Sequence, residues 1–170
     1  MSYVFTDTQL GLQPIAETST TRRHTLGKIV HAVDSTTYGG GEFIYLLGVA
    51  STVAGSVVTY GGNSSGTPTY QTALAPATAG LAQPLAVAMS ANVAGQYGWY
   101  QISGSAVCAT NGTLAAGPAP VYLAGSGQLT STQANGKQVV NAINVTATGT
   151  PASGFAVVEI NRPFAQGQVV

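Results

Sequence analysis

Apolar and polar positions along this chain alternate with a period of two in a series of short runs, the pattern of strands whose successive side chains face opposite ways. The most aromatic run begins at Tyr97. Tyr97, Trp99 and Gln101 share one face, Gly98, Tyr100 and Ile102 the other, and the only tryptophan lies within it. Each aromatic ring buries about 150–250 Å², so this strand is expected at the centre of the core, bounded by Gly95 and Gly104. Glu42-Phe43-Ile44-Tyr45-Leu46-Leu47 is apolar on both faces and predicts a second central strand. Phe43, Tyr45, Tyr97 and Trp99 are therefore core candidates, joined by Ile160 from a last strand over residues 154–160 that Asn161-Arg162-Pro163-Phe164 closes.

Other runs have the same character. Ile29, His31 and Val33 oppose Lys28, Val30 and Ala32; Val139, Ile143 and Val145 are expected to oppose Val140, Ala142 and Asn144. Gly61-Gly62, Asn111-Gly112 and Asn135-Gly136 are hairpin signals, the last two in the favoured type I′ form. Gly39-Gly40-Gly41 predicts positive φ or a close backbone approach; no Lys-Ser/Thr and no helical pattern follow it, so it is no phosphate cradle. Residues 81–95 read equally as a helix opened by Pro84 and closed by Gly95, or as a strand with Leu85, Val87 and Met89 on one face. About eight to ten short strands between turn signals predict an all-β fold: an antiparallel β-sandwich or barrel, jelly-roll-like.

Composition changes the picture in one respect. Within 170 residues, enough for one domain, only 6% are charged, five acids against five bases, and residues 43–136 carry no charge at all. That excludes an electrostatic footprint for nucleic acid or an anionic membrane, and no apolar run is long enough to span a bilayer. It also leaves a poor surface for an isolated soluble chain, because charge normally keeps proteins apart, so partners are expected to cover much of it. The start of the chain lacks the basic and then apolar regions of a secretory signal; synthesis in the cytoplasm is expected, and the sequons at Asn63, Asn111 and Asn144 are expected to be coincidental.

Residues 1–25 lack steady periodicity and read as an extended N-terminal arm, with residues 26–170 as a single β domain. Tyr3, Val4, Phe5, Leu10, Leu12 and Ile15 are scattered apolar anchors in the arm, and Arg22-Arg23-His24 ends it either as a solvated turn or as a cluster that pairs with an acidic patch on a partner.

The supply of chemistry is small. Two histidines, five acids and one cysteine make a hydrolytic triad or a pair of glycosidic carboxylates improbable on numbers and placement. His31 and Asp34 fall on opposite faces of a strand, Cys108 has no basic neighbour in sequence, and no cofactor or metal is expected. The chain is read as a non-enzyme. An alternative is a carbohydrate-binding or fibre-associated module in which Tyr97, Trp99 and Tyr100 form a stacking platform.

Residues 26–33, the segment Thr37-Tyr38-Gly39-Gly40-Gly41-Glu42-Phe43-Ile44-Tyr45-Leu46-Leu47-Gly48-Val49-Ala50, Ala86-Val87-Ala88-Met89-Ser90, the aromatic strand and Asn161-Arg162-Pro163-Phe164 together resemble tailed-bacteriophage head decoration, or cement, proteins. The resemblance rests on structural residues. It implies a virion structural protein on the capsid exterior, binding the major capsid protein as a homodimer or homotrimer and holding the shell against the pressure of packaged DNA. It also implies an arm laid over a neighbouring subunit through Tyr3, Phe5, Leu10, Arg22 and Arg23, and it favours strand for residues 85–90.

Overall fold

The computed structural model describes residues 3–6, 11–61 and 69–169, and the described residues form eleven strands and no helix. These are β1 (Tyr3–Phe5), β2 (Ile29–Asp34), β3 (Gly39–Leu47), β4 (Val57–Thr59), β5 (Ala73–Leu74) and β6 (Leu85–Ala88). The second half supplies β7 (Tyr97–Ala109), β8 (Ala119–Gly125), β9 (Gln128–Thr130), β10 (Gln138–Asn144) and β11 (Phe155–Ala165). Strands pair antiparallel in one open sheet of order β1-β2-β3-β7-β11-β10-β8-β9, with β4, β5 and β6 attached as a branch. The two-way reading of residues 81–95 thus resolves as a strand, β6, followed by turns.

β7 organises the rest. Its first half pairs with β3 from Leu47↔Tyr97 to Glu42↔Ser103, and its second half with β11 from Asn161↔Ser103 to Phe155↔Ala109. β6 meets it at Tyr100 and Gln101. Alternation along these strands sorts the interior into three stacked apolar layers. Phe43, Tyr45 and Trp99 pack with Val30, Ala32, Met89 and Ile15 in the first. Ile44, Leu46, Tyr100 and Ile102 pack with Val58, Ala86 and Ala88 in the second. Val57, Leu85 and Val87 pack with Ala106, Cys108, Val121, Leu123, Val158 and Ile160 in the third. β4 and β6 therefore bury both faces, which is why their residues are apolar without interruption.

The N-terminal segment departs from the expectation of an extended arm. Its described residues lie on the body itself: β1 pairs with β2, Ser19 and Tyr97 exchange backbone hydrogen bonds, and Ile15 and Gln13 are 3% and 1% exposed. The physical reason is that β3 and β7 carry large rings on the face away from β4 and β6, and something apolar has to cover them. Removing residues 2–20 would uncover that layer.

Three local readings also change. Asn111-Gly112 and Asn135-Gly136 do not close hairpins between paired strands, and Gly62 of the expected Gly61-Gly62 turn lies outside the described residues; among those described, a two-residue hairpin is Ser126-Gly127, between β8 and β9, with φ of 51° and 72°. In β10 a bulge shifts the register between Val140 and Ala142, with Asn141 at φ 60°. Val139, Ala142 and Asn144 consequently face in, while Val140, Ile143 and Val145 face out, a one-residue slip from simple alternation. β11 runs on through Asn161-Arg162-Pro163-Phe164, expected to close it, with Arg162 at φ 49°.

Close approaches fix two glycines. A Cβ on Gly41 would lie 2.7 Å from the Ser103 carbonyl oxygen, and one on Gly48 would overlap the backbone carbonyl of buried Asn92. Gly48→Ala is expected to cost about 3 kcal/mol or more in a denaturant titration. Gly40→Ala, whose Cβ would meet Val33 Cγ2 at 3.8 Å, is the matched control and should cost well under half of that.

Candidate functional site

Three groupings of side chains are candidate sites: the titratable residues, the aromatic bed with its covering segment, and the outer face of β8, β10 and β11. Among the titratable residues, Glu42 is the centre of a small ionic cluster. Its Oε1 lies 3.3 Å from His31 Nε2, and Arg162 Nη2 donates to both carboxylate oxygens at 3.2 Å. Asp34 is occupied elsewhere, accepting from the Thr36 hydroxyl at 2.6 Å and the Thr36 amide at 3.0 Å, which holds its carboxyl below the usual range. Glu159 accepts from the Ser105 hydroxyl at 2.6 Å. Among the described residues no three of His, Cys, Asp and Glu converge on a metal-sized position. Cys108 is fully buried, and desolvation pushes its thiol up to about 12, so it holds its proton and is no nucleophile.

The aromatic bed is built by β3 and β7. Tyr45 and Trp99 are register partners with ring centroids 5.0 Å apart edge to face, and Tyr97 stacks on Tyr45 at 6.3 Å. Residues 11–25 cross this bed as a strap, and Gln13 is its fastening. The Trp99 indole N–H donates to the Gln13 carbonyl at 2.7 Å, the Tyr45 hydroxyl donates to Gln13 Oε1 at 2.9 Å, and Gln13 Nε2 donates to the carbonyls of Glu17 and Tyr97 at 2.7 and 3.2 Å. The Gln13 amide donates to His24 Nε2 at 3.1 Å, and the imidazole rests against Tyr45 and Trp99 at 5.0 and 5.5 Å. Sequence reading named the rings and missed Gln13, because one glutamine in a polar, aperiodic stretch carries no signal of its own.

The third grouping is apolar and open. With the register of β10 shifted, Val140 pairs with Phe164 and Ile143 with Glu159 on one side and Pro120 on the other. Val140, Ile143, Val145 and Phe164 are 41%, 47%, 45% and 40% exposed. A shallow groove of about 390 Å³ runs over Val140, Asn141, Ile143, Glu159 and Asn161.

Placed against expectation, Phe43, Tyr45 and Trp99 have no exposed surface, Ile160 is 3% exposed and Tyr97 is half-buried. Tyr100 is also sealed, its hydroxyl accepting from Asn92 Nδ2 at 2.9 Å, so neither Trp99 nor Tyr100 offers a face on which a sugar could stack. Tyr3 and Phe5 are turned inward, against Phe43 at 4.9 Å and Trp99 at 6.0 Å, rather than outward toward a partner. Arg22 and Arg23 are exposed, and Leu10 lies outside the described residues.

Two outcomes follow from the strap and the thiol. Gln13→Met keeps the volume but leaves the Tyr45 hydroxyl without its acceptor, and is expected to lose about 1–3 kcal/mol by chemical denaturation; an unchanged midpoint would mean that the strap does not rest on the bed. Cys108 should be inert to a water-soluble disulfide reagent at neutral pH and react at once in denaturant.

Compared with known proteins, the chain matches no protein-family model, no curated protein and no solved structure.

Proposed function

We propose that this chain is a virion structural protein that seats on the outside of an icosahedral head and cements the major capsid subunits. The observation that carries the reading is the outer face of β8, β10 and β11. It exposes Pro120, Val140, Ile143, Val145 and Phe164 with one carboxylate, Glu159, among them, on a chain that carries no charge from residue 43 to 136. A contiguous apolar patch on a charge-poor surface marks an interaction site. With Tyr3 and Phe5 spent on the body's own core, the grip passes from the arm to this face. A shell presents the same seam many times, so a modest contact repeated over the lattice stabilises it by mass action.

The finer architecture belongs to the same proposal. Packing of Val57, Leu85 and Val87 against residues of β8, β10 and β11 supports a sheet doubled over into a jelly-roll-like sandwich. Such a body suits the outside of a head, made in the host cytoplasm and added as a homodimer or homotrimer after the shell expands. Catalysis, a cofactor, nucleic acid and membrane form no part of this reading.

Co-sedimentation with purified expanded heads tests it. The wild-type chain is expected to pellet with heads, and the double variant Val140→Asp, Ile143→Lys to stay in the supernatant while its stability changes by only about 0.5 kcal/mol. Failure of the wild-type chain to bind heads overturns the function; full binding by the double variant overturns the assignment of this face.

A further inference from the structure

We propose that His24 is a proton-sensitive catch that holds residues 11–25 over the aromatic bed at neutral pH and releases them in acid. A backbone N–H can only donate. The 3.1 Å hydrogen bond from the Gln13 amide to His24 Nε2 therefore requires a lone pair on Nε2, which places the imidazole's single proton on Nδ1. A second proton would set N–H against N–H. The ring has no easy escape, because it is held edge-on to Tyr45 and tilted against Trp99. Losing this bond loosens Gln13, which carries most of the strap's side-chain hydrogen bonds to the bed, and leaves the strap held by the Ser19–Tyr97 backbone pair and by Ile15. Gln13 also accepts from Trp99 and Tyr45 and donates to the carbonyls of Glu17 and Tyr97, so displacing its backbone disengages the set together.

The groups facing His24 all favour the neutral form or are indifferent. Arg23 on the same segment and Lys28 at the entry to β2 are cations; β3 and β7 bring the Tyr45 and Trp99 rings. Glu17, the carboxylate of the described part of the strap, is exposed and joins the latch through its carbonyl. Burial first, then Lys28 and Arg23, hold His24 below its ordinary value of 6.5. The sign of the linkage is then fixed. A released strap carries a histidine of ordinary basicity and a docked strap one that resists protonation, so docking is fully favoured above about pH 6.5 and loses support as the pH falls through and below that value. The consequence is local. β3 through β11 contribute to the other two apolar layers, and β1 and β2 stay paired to β3 in the sheet, while Trp99, Tyr45 and the strap's own Ile15 become accessible.

The proposal concerns the isolated chain and does not rest on the shell reading. Trp99 is the only tryptophan, so quenching of its fluorescence by acrylamide reads the catch directly. Between about pH 8 and about pH 5 the quenching constant is expected to rise several-fold, with a midpoint below 6.5, while far-ultraviolet circular dichroism stays unchanged. His24→Gln, whose amide oxygen still accepts but does not titrate, should remain sealed throughout; His31→Gln should behave as wild type. A Trp99 that stays sealed in the wild-type chain, a transition that persists in His24→Gln, or one that coincides with loss of the whole fold would each overturn the proposal. Should His24→Gln fail to fold, proton NMR of the wild-type chain decides. The His24 ring and Trp99 indole resonances are expected to titrate together below the ordinary histidine value, and separate midpoints refute the catch.

Discussion

An indole N–H in a place without water has to be matched by an acceptor from the protein, and that constraint shapes one whole side of this molecule. β3 and β7 present Phe43, Tyr45 and Trp99 away from the branch of β4, β5 and β6, and leaving those rings in water would forfeit about 1.5–3 kcal/mol for each. A cover of aliphatic residues alone would bury them but strand the Trp99 N–H and the Tyr45 O–H, at a further cost of about 1–3 kcal/mol apiece. The strap meets both needs at one residue, since Gln13 offers its backbone carbonyl to one ring and its side-chain oxygen to the other. Ile15 and Leu12 supply the apolar part of the lid.

The central strands were legible in the sequence because their signal is local. Residues apolar on both faces have to be covered on both faces, and Glu42-Phe43-Ile44-Tyr45-Leu46-Leu47 and the run from Tyr97 say so without reference to the rest of the chain. What covers them is not local. Nothing in residues 11–25 distinguishes a strap folded onto its own body from an arm laid on a neighbour, because both need the same few apolar anchors among polar residues. The hairpin signals failed for a related reason. Asn-Gly favours a tight turn wherever it occurs, but β7 already had β3, β6 and β11 as partners, so the chain after Asn111-Gly112 travels on to pair elsewhere.

The candidate sites were legible only in part. That His31 and Asp34 would diverge followed from strand geometry, and the structure gives them separate employers, Glu42 and Thr36. The meeting of Glu42 with Arg162 joins β3 to β11 across 120 residues, a long-range pairing that no spacing rule anticipates. His24 looked like the tail of a basic cluster. Its packing against two rings became visible only once β3 and β7 were side by side.

The outer face of β10 is where folding preference and structure disagree, and the disagreement is informative. Unbroken alternation would have turned Val139, Ile143 and Val145 to the core together. The bulge at Asn141 instead sends Ile143 and Val145 outward and brings in Ala142 and Asn144, a small residue and an amide whose Nδ2 donates to the Ala115 carbonyl while its oxygen lies buried without a partner. Judged by burial alone this is the poorer choice, by about 1.5–3 kcal/mol for each large aliphatic left outside. Choices that break a local rule without a gain in the fold concentrate at functional positions, and bulges recur where a strand must re-aim its side chains. On the proposed reading, the apolar row of Val140, Ile143 and Val145 is the surface that meets a neighbouring subunit, and its compensating burial would come from that contact.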